Sequence, residues 1–193
     1  MPVLPLVAAA IAGTGCTDTV INTDEARPTT QPSTTTTPPL ANPPNNDNLA
    51  NAFDYAAPQS DGDTAYYFTT PSKRWVCAIV PHDSAGCQSS AAGAIAVKGA
   101  PSTVPGHDGT DQTPNAIQVG RLEAPRFAAL DAPGYSQVPG PAAVLPFGKV
   151  LIASGFRCNV QEATGISCAS EVTGQGFTFS ADGYAPQYTD LPG

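Results

Sequence analysis

The sequence predicts a mainly β protein: a small disulfide-stabilised sheet, sandwich or barrel-like domain with two cysteine-closed hairpins, behind a disordered N-terminal stalk. Short β-branched and aromatic runs, separated by Gly, Pro, Asn and Asp, recur from Ala65 onward. Apart from a turn at Pro125–Leu130, no stretch sustains a 3.6-residue apolar period over ten positions. One cysteine spacing occurs twice. Charged residues make up only 12% of the 193, about half the usual share, which argues against long surface helices built on Glu–Lys pairs. Eight basic residues stand against sixteen acidic ones, a net charge of −8. Such a surface does not neutralise phosphates, so nucleic acid and anionic membrane surfaces are poor partner candidates.

From the N-terminus, Val3 to Gly15 carry no charge and are apolar or small. The run is shorter than the roughly 20 residues a spanning helix needs, but it suits the apolar part of an export signal. Gly13-Thr14-Gly15 lead directly into Cys16. This resembles the lipobox of bacterial lipoproteins, whose cysteine is lipidated and becomes the new N-terminus. It departs from that motif in having Gly13 where a leucine or branched residue is usual, and no Lys or Arg precedes the apolar run. A lipoprotein signal over residues 1–15 is preferred to a plain secretory signal or to an apolar core segment. The chain has five cysteines, Cys16, Cys77, Cys87, Cys158 and Cys168, and lipidation of Cys16 leaves an even four to pair. The resemblance implies a protein held at the outer face of the cell membrane through Cys16, stably so with two acyl chains.

Residues 16–49 read as a linker. Pro28 to Pro44 alone holds six prolines and six threonines, and every aromatic residue of the chain lies from Phe53 onward. Such a segment cannot bury enough apolar surface to offset its ordering entropy, so it is expected to be disordered or extended. At about 3.1 Å per residue in polyproline form it would reach on the order of 100 Å, and as random coil about 30–35 Å; either way it lifts a domain off the membrane. Ser/Thr with Pro is also a composition that accepts O-glycosylation.

Residues 50–193 read as one extracytoplasmic β domain with seven basic and twelve acidic residues. Strands are expected near Ala65–Thr69, Arg74–Val80, Ala94–Val97, Ile117–Leu122, Lys149–Ala153, Gly155–Val160, Ile166–Ser170 and Phe177–Ser180.

Nine residues separate Cys77 from Cys87, and nine separate Cys158 from Cys168. An aromatic residue precedes the first cysteine of each pair by two positions (Trp75, Phe156), and a β-branched residue follows it by two (Ile79, Val160). On a strand, positions i, i+2 and i+4 share a face, so each trio lines one face. The spacing puts a hairpin apex near His82 in the first copy and Ala163 in the second, with suitable turn residues. Of the three connectivities open to four cysteines, Cys77–Cys87 with Cys158–Cys168 is favoured. Closing so short a loop is worth about 2.5–3 kcal/mol on the chain-entropy model. Zinc is the rival reading, but the spacing is not C-x2-C and an exported domain favours disulfides.

A family resemblance appears in the second half. Leu145-Pro146-Phe147-Gly148, Gly155-Phe156-Arg157-Cys158, Gly165-Ile166-Ser167-Cys168 and Thr173-Gly174-Gln175-Gly176-Phe177, then Ser180 and Tyr184, follow a recognisable order. This is similar to an uncharacterised module of exported actinobacterial proteins with the form LPYG…G…C…GVTC…TGHGF…S…Y. That module is preceded by FxSPSGNIxC, a place held here by Phe68 to Cys77. Gln175 stands where that family often has His, and Arg74-Trp75 where it has Asn-Ile. The resemblance spans about residues 66–188. It implies a cell-envelope β domain with paired cysteines and carries over no catalytic residue.

Chemistry-bearing motifs are few. His82-Asp83-Ser84-Ala85-Gly86 superficially resembles the surroundings of a serine nucleophile, but no G-x-S-x-G elbow exists and a hairpin turn is the better reading. His107-Asp108-Gly109-Thr110-Asp111 and Asp61-Gly62-Asp63 do not match a calcium loop and read as Asp-Gly turns. Asp131, Glu123, Glu162 and Glu171 are carboxylates from which a hydrolytic pair could be drawn. Tyr66-Tyr67-Phe68 and Phe177-Thr178-Phe179 read as core rather than as a ligand platform. Thr173–Phe177 reads as a turn entering a strand. No catalytic residue, metal site or cofactor is expected. The expected function is a lipid-anchored, non-catalytic binding or structural module of the envelope, with wall polymer or an envelope protein as partner. The alternatives are a small secreted enzyme acting on wall glycan or peptide, and an inhibitor or accessory factor of a secreted enzyme.

Overall fold

The computed structural model describes residues 46–59, 61–91 and 93–192. The export signal, Cys16 and the linker up to residue 45 lie outside the described residues.

The described chain is β structure behind two short 3-10 turns, Asn46–Asn48 and Ala52–Tyr55. The first sheet contains β1 (Ala56–Pro58), β2 (Thr64–Thr69), β3 (Trp75–Val80) and β4 (Ser84–Ser89). A small separate hairpin follows, β5 (Val104–Pro105) and β6 (Asp111–Gln112). The chain then returns to the first sheet as β7 (Ala116–Gly120), β8 (Arg126–Ala128) and β9 (Ala143–Val144). The second sheet is β10 (Lys149–Ala153), β11 (Phe156–Gln161), β12 (Gly165–Ser170), β13 (Gly176–Ser180) and β14 (Gly183–Ala185). Strand order is β1-β2-β3-β4-β7-β8 in the first sheet and β10-β11-β12-β13-β14 in the second. All pairs are antiparallel except β9 on β2. The sheets do not close into a barrel.

The two sheets repeat one plan. In the first, Trp75 faces Ser89, Cys77 faces Cys87 and Val80 faces Ser84; in the second, Phe156 faces Ser170, Cys158 faces Cys168 and Gln161 faces Gly165. Each cysteine pair is joined, with Cα–Cα distances of 4.0 and 4.1 Å. The hairpin loops are Pro81–Asp83 and Glu162–Thr164, so their apices fall at His82 and Ala163 as the spacing predicts. The copies then diverge in length. Between β4 and β7 the chain makes a long excursion through Ile95, Val97 and the small hairpin, where a five-residue turn joins β12 to β13.

The inner faces build one core. Trp75, Cys77, Ile79, Cys87, Ile117 and Val119 from the first sheet pack in one buried cluster with Phe156, Cys158, Val160, Cys168, Phe177 and Phe179 from the second. Trp75 meets Phe179 edge-on at 4.9 Å across the two sheets, a favoured aromatic geometry. Both disulfides are fully buried here.

The outer faces are covered in two different ways. On the first sheet, the small pair Ala78 and Gly86 leaves room for the Tyr135 ring, which packs with Ala65, Tyr67, Ala78 and Ala116. On the second sheet the equivalent pair is Asn159 and Ser167, and the cover is polar. The Asn159 amide donates to the Tyr188 hydroxyl at 2.8 Å and the Thr189 carbonyl at 2.9 Å. Ser167 meets Thr178 at 2.8 Å, and Thr178 donates to the Gln187 carbonyl.

Two expectations fail. Ala94–Val97 forms no strand: Ile95 and Val97 are buried, but Ile95 N–H donates to the lone carbonyl of Pro114 and no ladder follows. The Pro125–Leu130 turn is instead the edge strand β8, paired with β7.

Candidate functional site

The hairpin loop at His82 gathers a histidine, an aspartate and a serine beside Arg121 and Tyr135. His82 sits in the left-handed region at φ 64°, which turns its exposed ring outward, and Nδ1 lies 3.2 Å from an Arg121 guanidinium nitrogen. The Ser84 hydroxyl is buried; it donates to Asp83 Oδ2 at 2.8 Å and lies 3.1 Å from the Tyr135 hydroxyl. Tyr135 in turn donates to Gln118 Oε1 at 3.0 Å. Burial holds the Tyr135 phenol far above its ordinary pKa of 10.0, and the Asp83 charge pushes the same way against the Ser84 hydrogen bond. The phenol is therefore a fixed donor. A serine nucleophile needs a base on its oxygen; here the imidazole is engaged by Arg121, and the serine helps to seat the tyrosine cover. A hollow of about 300 Å³ opens beside this loop, rimmed by Glu123 and Arg126, which pair at 3.6 Å.

The other polar candidates are spread over the surface. His107 to Thr110 form the turn of the small hairpin, where Asp108 accepts from the Thr110 hydroxyl and N–H, at 2.6 and 3.0 Å. Those two bonds hold its carboxyl below the usual range. Asp61 caps its own turn by accepting from Asp63 N–H at 3.1 Å. Glu171 binds Arg157 at 2.9 Å, Asp131 borders a hollow with Ser136, and Glu162 lies at the other hairpin tip. Among the described residues no group of three or more His, Cys, Asp or Glu could hold a metal ion. Phe68, Phe177 and Phe179 are buried in the common core and Tyr67 lies under the Tyr135 cover, as expected of core aromatics. Thr173-Gly174-Gln175 is a turn with Gly174 at φ 71°, leading into β13.

A different place has the form of a ligand site. The β2–β3 turn, the start of the excursion after β4, the Tyr135 loop and β9 together enclose an open groove of about 490 Å³. Its apolar wall is Val76, Pro141, Ala142, Ala143 and Val144. Its polar lining is Lys73, Ser90, Ser136 and Gln137, and Ser90 N–H donates to the Arg74 carbonyl at 2.9 Å. Thr69, also on the wall, spends its hydroxyl on the Trp75 carbonyl at 2.9 Å. The size lies within the roughly 300–1,000 Å³ over which clefts hold small molecules.

Of the sequence-predicted site residues, the structure joins Cys77 to Cys87 and Cys158 to Cys168, and Cys16 lies outside the described residues. Sequence reasoning missed the groove. Disulfides persist in oxidising compartments, so the domain works outside the cytoplasm. Among the described residues no helix is long and apolar enough to cross a membrane. In comparisons with protein-family models, with curated proteins and with solved structures, no match was found.

Proposed function

We propose that the protein is a lipid-anchored component of the cell envelope whose β domain binds a ligand without transforming it. The observation that carries this reading is the groove between the β2–β3 turn and β9, where an apolar wall meets one cation and a set of uncharged polar groups. Catalytic sites converge titratable groups, whereas here Lys73 is the one ionisable group on the lining. The buried disulfides support the extracytoplasmic address, and the Gly13-Thr14-Gly15-Cys16 run supports the anchor. Wall polymer and envelope proteins are the partner classes this address offers.

Two measurements test the reading. The wild-type chain should partition with membranes and enter the detergent phase on extraction, while Cys16→Ala should be released to the medium. Retention of Cys16→Ala at the wild-type level overturns the anchor. The released chain should co-sediment saturably with purified envelope; turnover of wall glycan or peptide by it would overturn the non-catalytic assignment.

A further inference from the structure

We infer that the groove beside Lys73 takes a single-chain amphiphile: one apolar body with one carboxylate. The inference rests on the binding reading above and names the ligand class of that same groove.

Charge is the first argument. The chain carries twice as many acidic as basic residues, yet Lys73 and Arg74 are consecutive exposed cations. The ion pairs among the described residues are Arg126–Glu123 and Arg157–Glu171, so neither Lys73 nor Arg74 has a carboxylate partner among them. Lys73 faces the groove, and Arg74 lines the neighbouring hollow over Trp75 and Phe147. In an acidic protein, internal partners for a cation are plentiful. Two cations left unpaired at one turn leave that turn open to an external anion.

The second argument is the backbone. Lys73 is held at φ 56°, in the left-handed region that glycine occupies freely and side chains rarely adopt. The turn is fixed by Lys73 N–H donating to the Thr70 carbonyl at 2.8 Å, and by the Thr70 hydroxyl, which accepts from Trp75 N–H at 3.4 Å. A costly conformation over-determined by its surroundings fixes where the lysine stem starts, at the mouth of the groove.

The third is the division of the lining. Lys73 supplies the one charge and Thr69, Ser90, Ser136 and Gln137 the uncharged polar groups, while Val76, Pro141, Ala142, Ala143 and Val144 supply the apolar wall. Val144 is 40% exposed and Val138, in the adjoining loop, is 64% exposed, so apolar surface stays in water unless something covers it. One ammonium matches a monoanion. A phosphate monoester would bring a second charge for which the groove holds no second cation.

Binding is tested by equilibrium dialysis of dodecanoate against the full chain carrying Cys16→Ala, so that no acyl group of its own competes. Saturable one-to-one binding that weakens with salt is expected. Dodecanol has the same body without the charge and should bind about tenfold more weakly, as should dodecanoate to Lys73→Gln, the size of one charge-assisted contact. Ala143→Trp, which fills the apolar wall at an exposed position, should abolish binding with the thermal midpoint unchanged. Absence of dodecanoate binding, or binding indifferent to both substitutions, overturns the inference. If the same chain still co-sediments with purified envelope, the binding reading survives that failure; if it does neither, both fall.

Discussion

Gly86 shows how a single hydrogen atom in place of a side chain decides a surface. A Cβ there would lie 2.5 Å from both the Ile117 carbonyl oxygen and the Tyr135 ring, one a strand backbone and the other a buried cover. Gly86→Ala is therefore expected to destabilise the fold by about 1–3 kcal/mol, read from urea unfolding, because neither neighbour can withdraw cheaply. The tyrosine it accommodates sets the alkaline limit. Burial raises the folded-state pKa of Tyr135 above the unfolded 10.0, so the stabilisation is complete below pH 10 and drains away as pH rises past it, where only the unfolded chain releases the proton. Thermal midpoints measured between pH 8 and 11 should fall above pH 10, and Tyr135→Phe should flatten that fall. Residue-level legibility was uneven in the same region. Ser84 invites a nucleophile reading from its neighbours alone, and only its partners, Asp83 and Tyr135, reveal a structural hydroxyl.

Elements were legible where side-chain type and pairing agree. Lys149–Ala153 is a continuous apolar run after one lysine, with β-branched Val150 and Ile152, and is the strand the sequence predicts, with the same bounds. β4 is Ser-Ala-Gly-Cys-Gln-Ser, with no β-branched residue, and only the repeated cysteine spacing exposes it. Ala94–Val97 misleads because alternating apolar residues report burial of every second side chain, which a non-ladder segment against the core also provides. The groove could not be read at all. Its lining comes from four separated stretches, and the two-residue strand β9 joins β2 in parallel across some 75 residues, a pairing no local pattern encodes. At this scale the disulfides make the firmest forecast. Replacing Cys77 and Cys87 together by alanine, or Cys158 and Cys168, should cost about 2–5 kcal/mol each by chemical denaturation. Peptide mapping without reductant should return only the within-hairpin links.

For the whole domain, duplication matters more than any one bond. The two meanders share their main core: Trp75 packs on Phe179, and the cysteines of both hairpins sit in one cluster. A calorimetric scan is thus expected to show one cooperative transition, shifted down but not split when one cysteine pair is removed. Independent melting of the two halves would contradict the shared interior. The edges of the assembly carry a further consequence. Leu49 bridges Val150 in parallel, and Ala50 N–H donates to the Val150 carbonyl at 2.8 Å, so the incoming chain lies along the free margin of β10. Were the domain hauled by its leading end, the Lys149 bond to the Asp47 carbonyl and then this two-residue seam would take the load and yield like a sacrificial stitch. Tension would then be spent on a margin before it reached the sulphur-pinned interior.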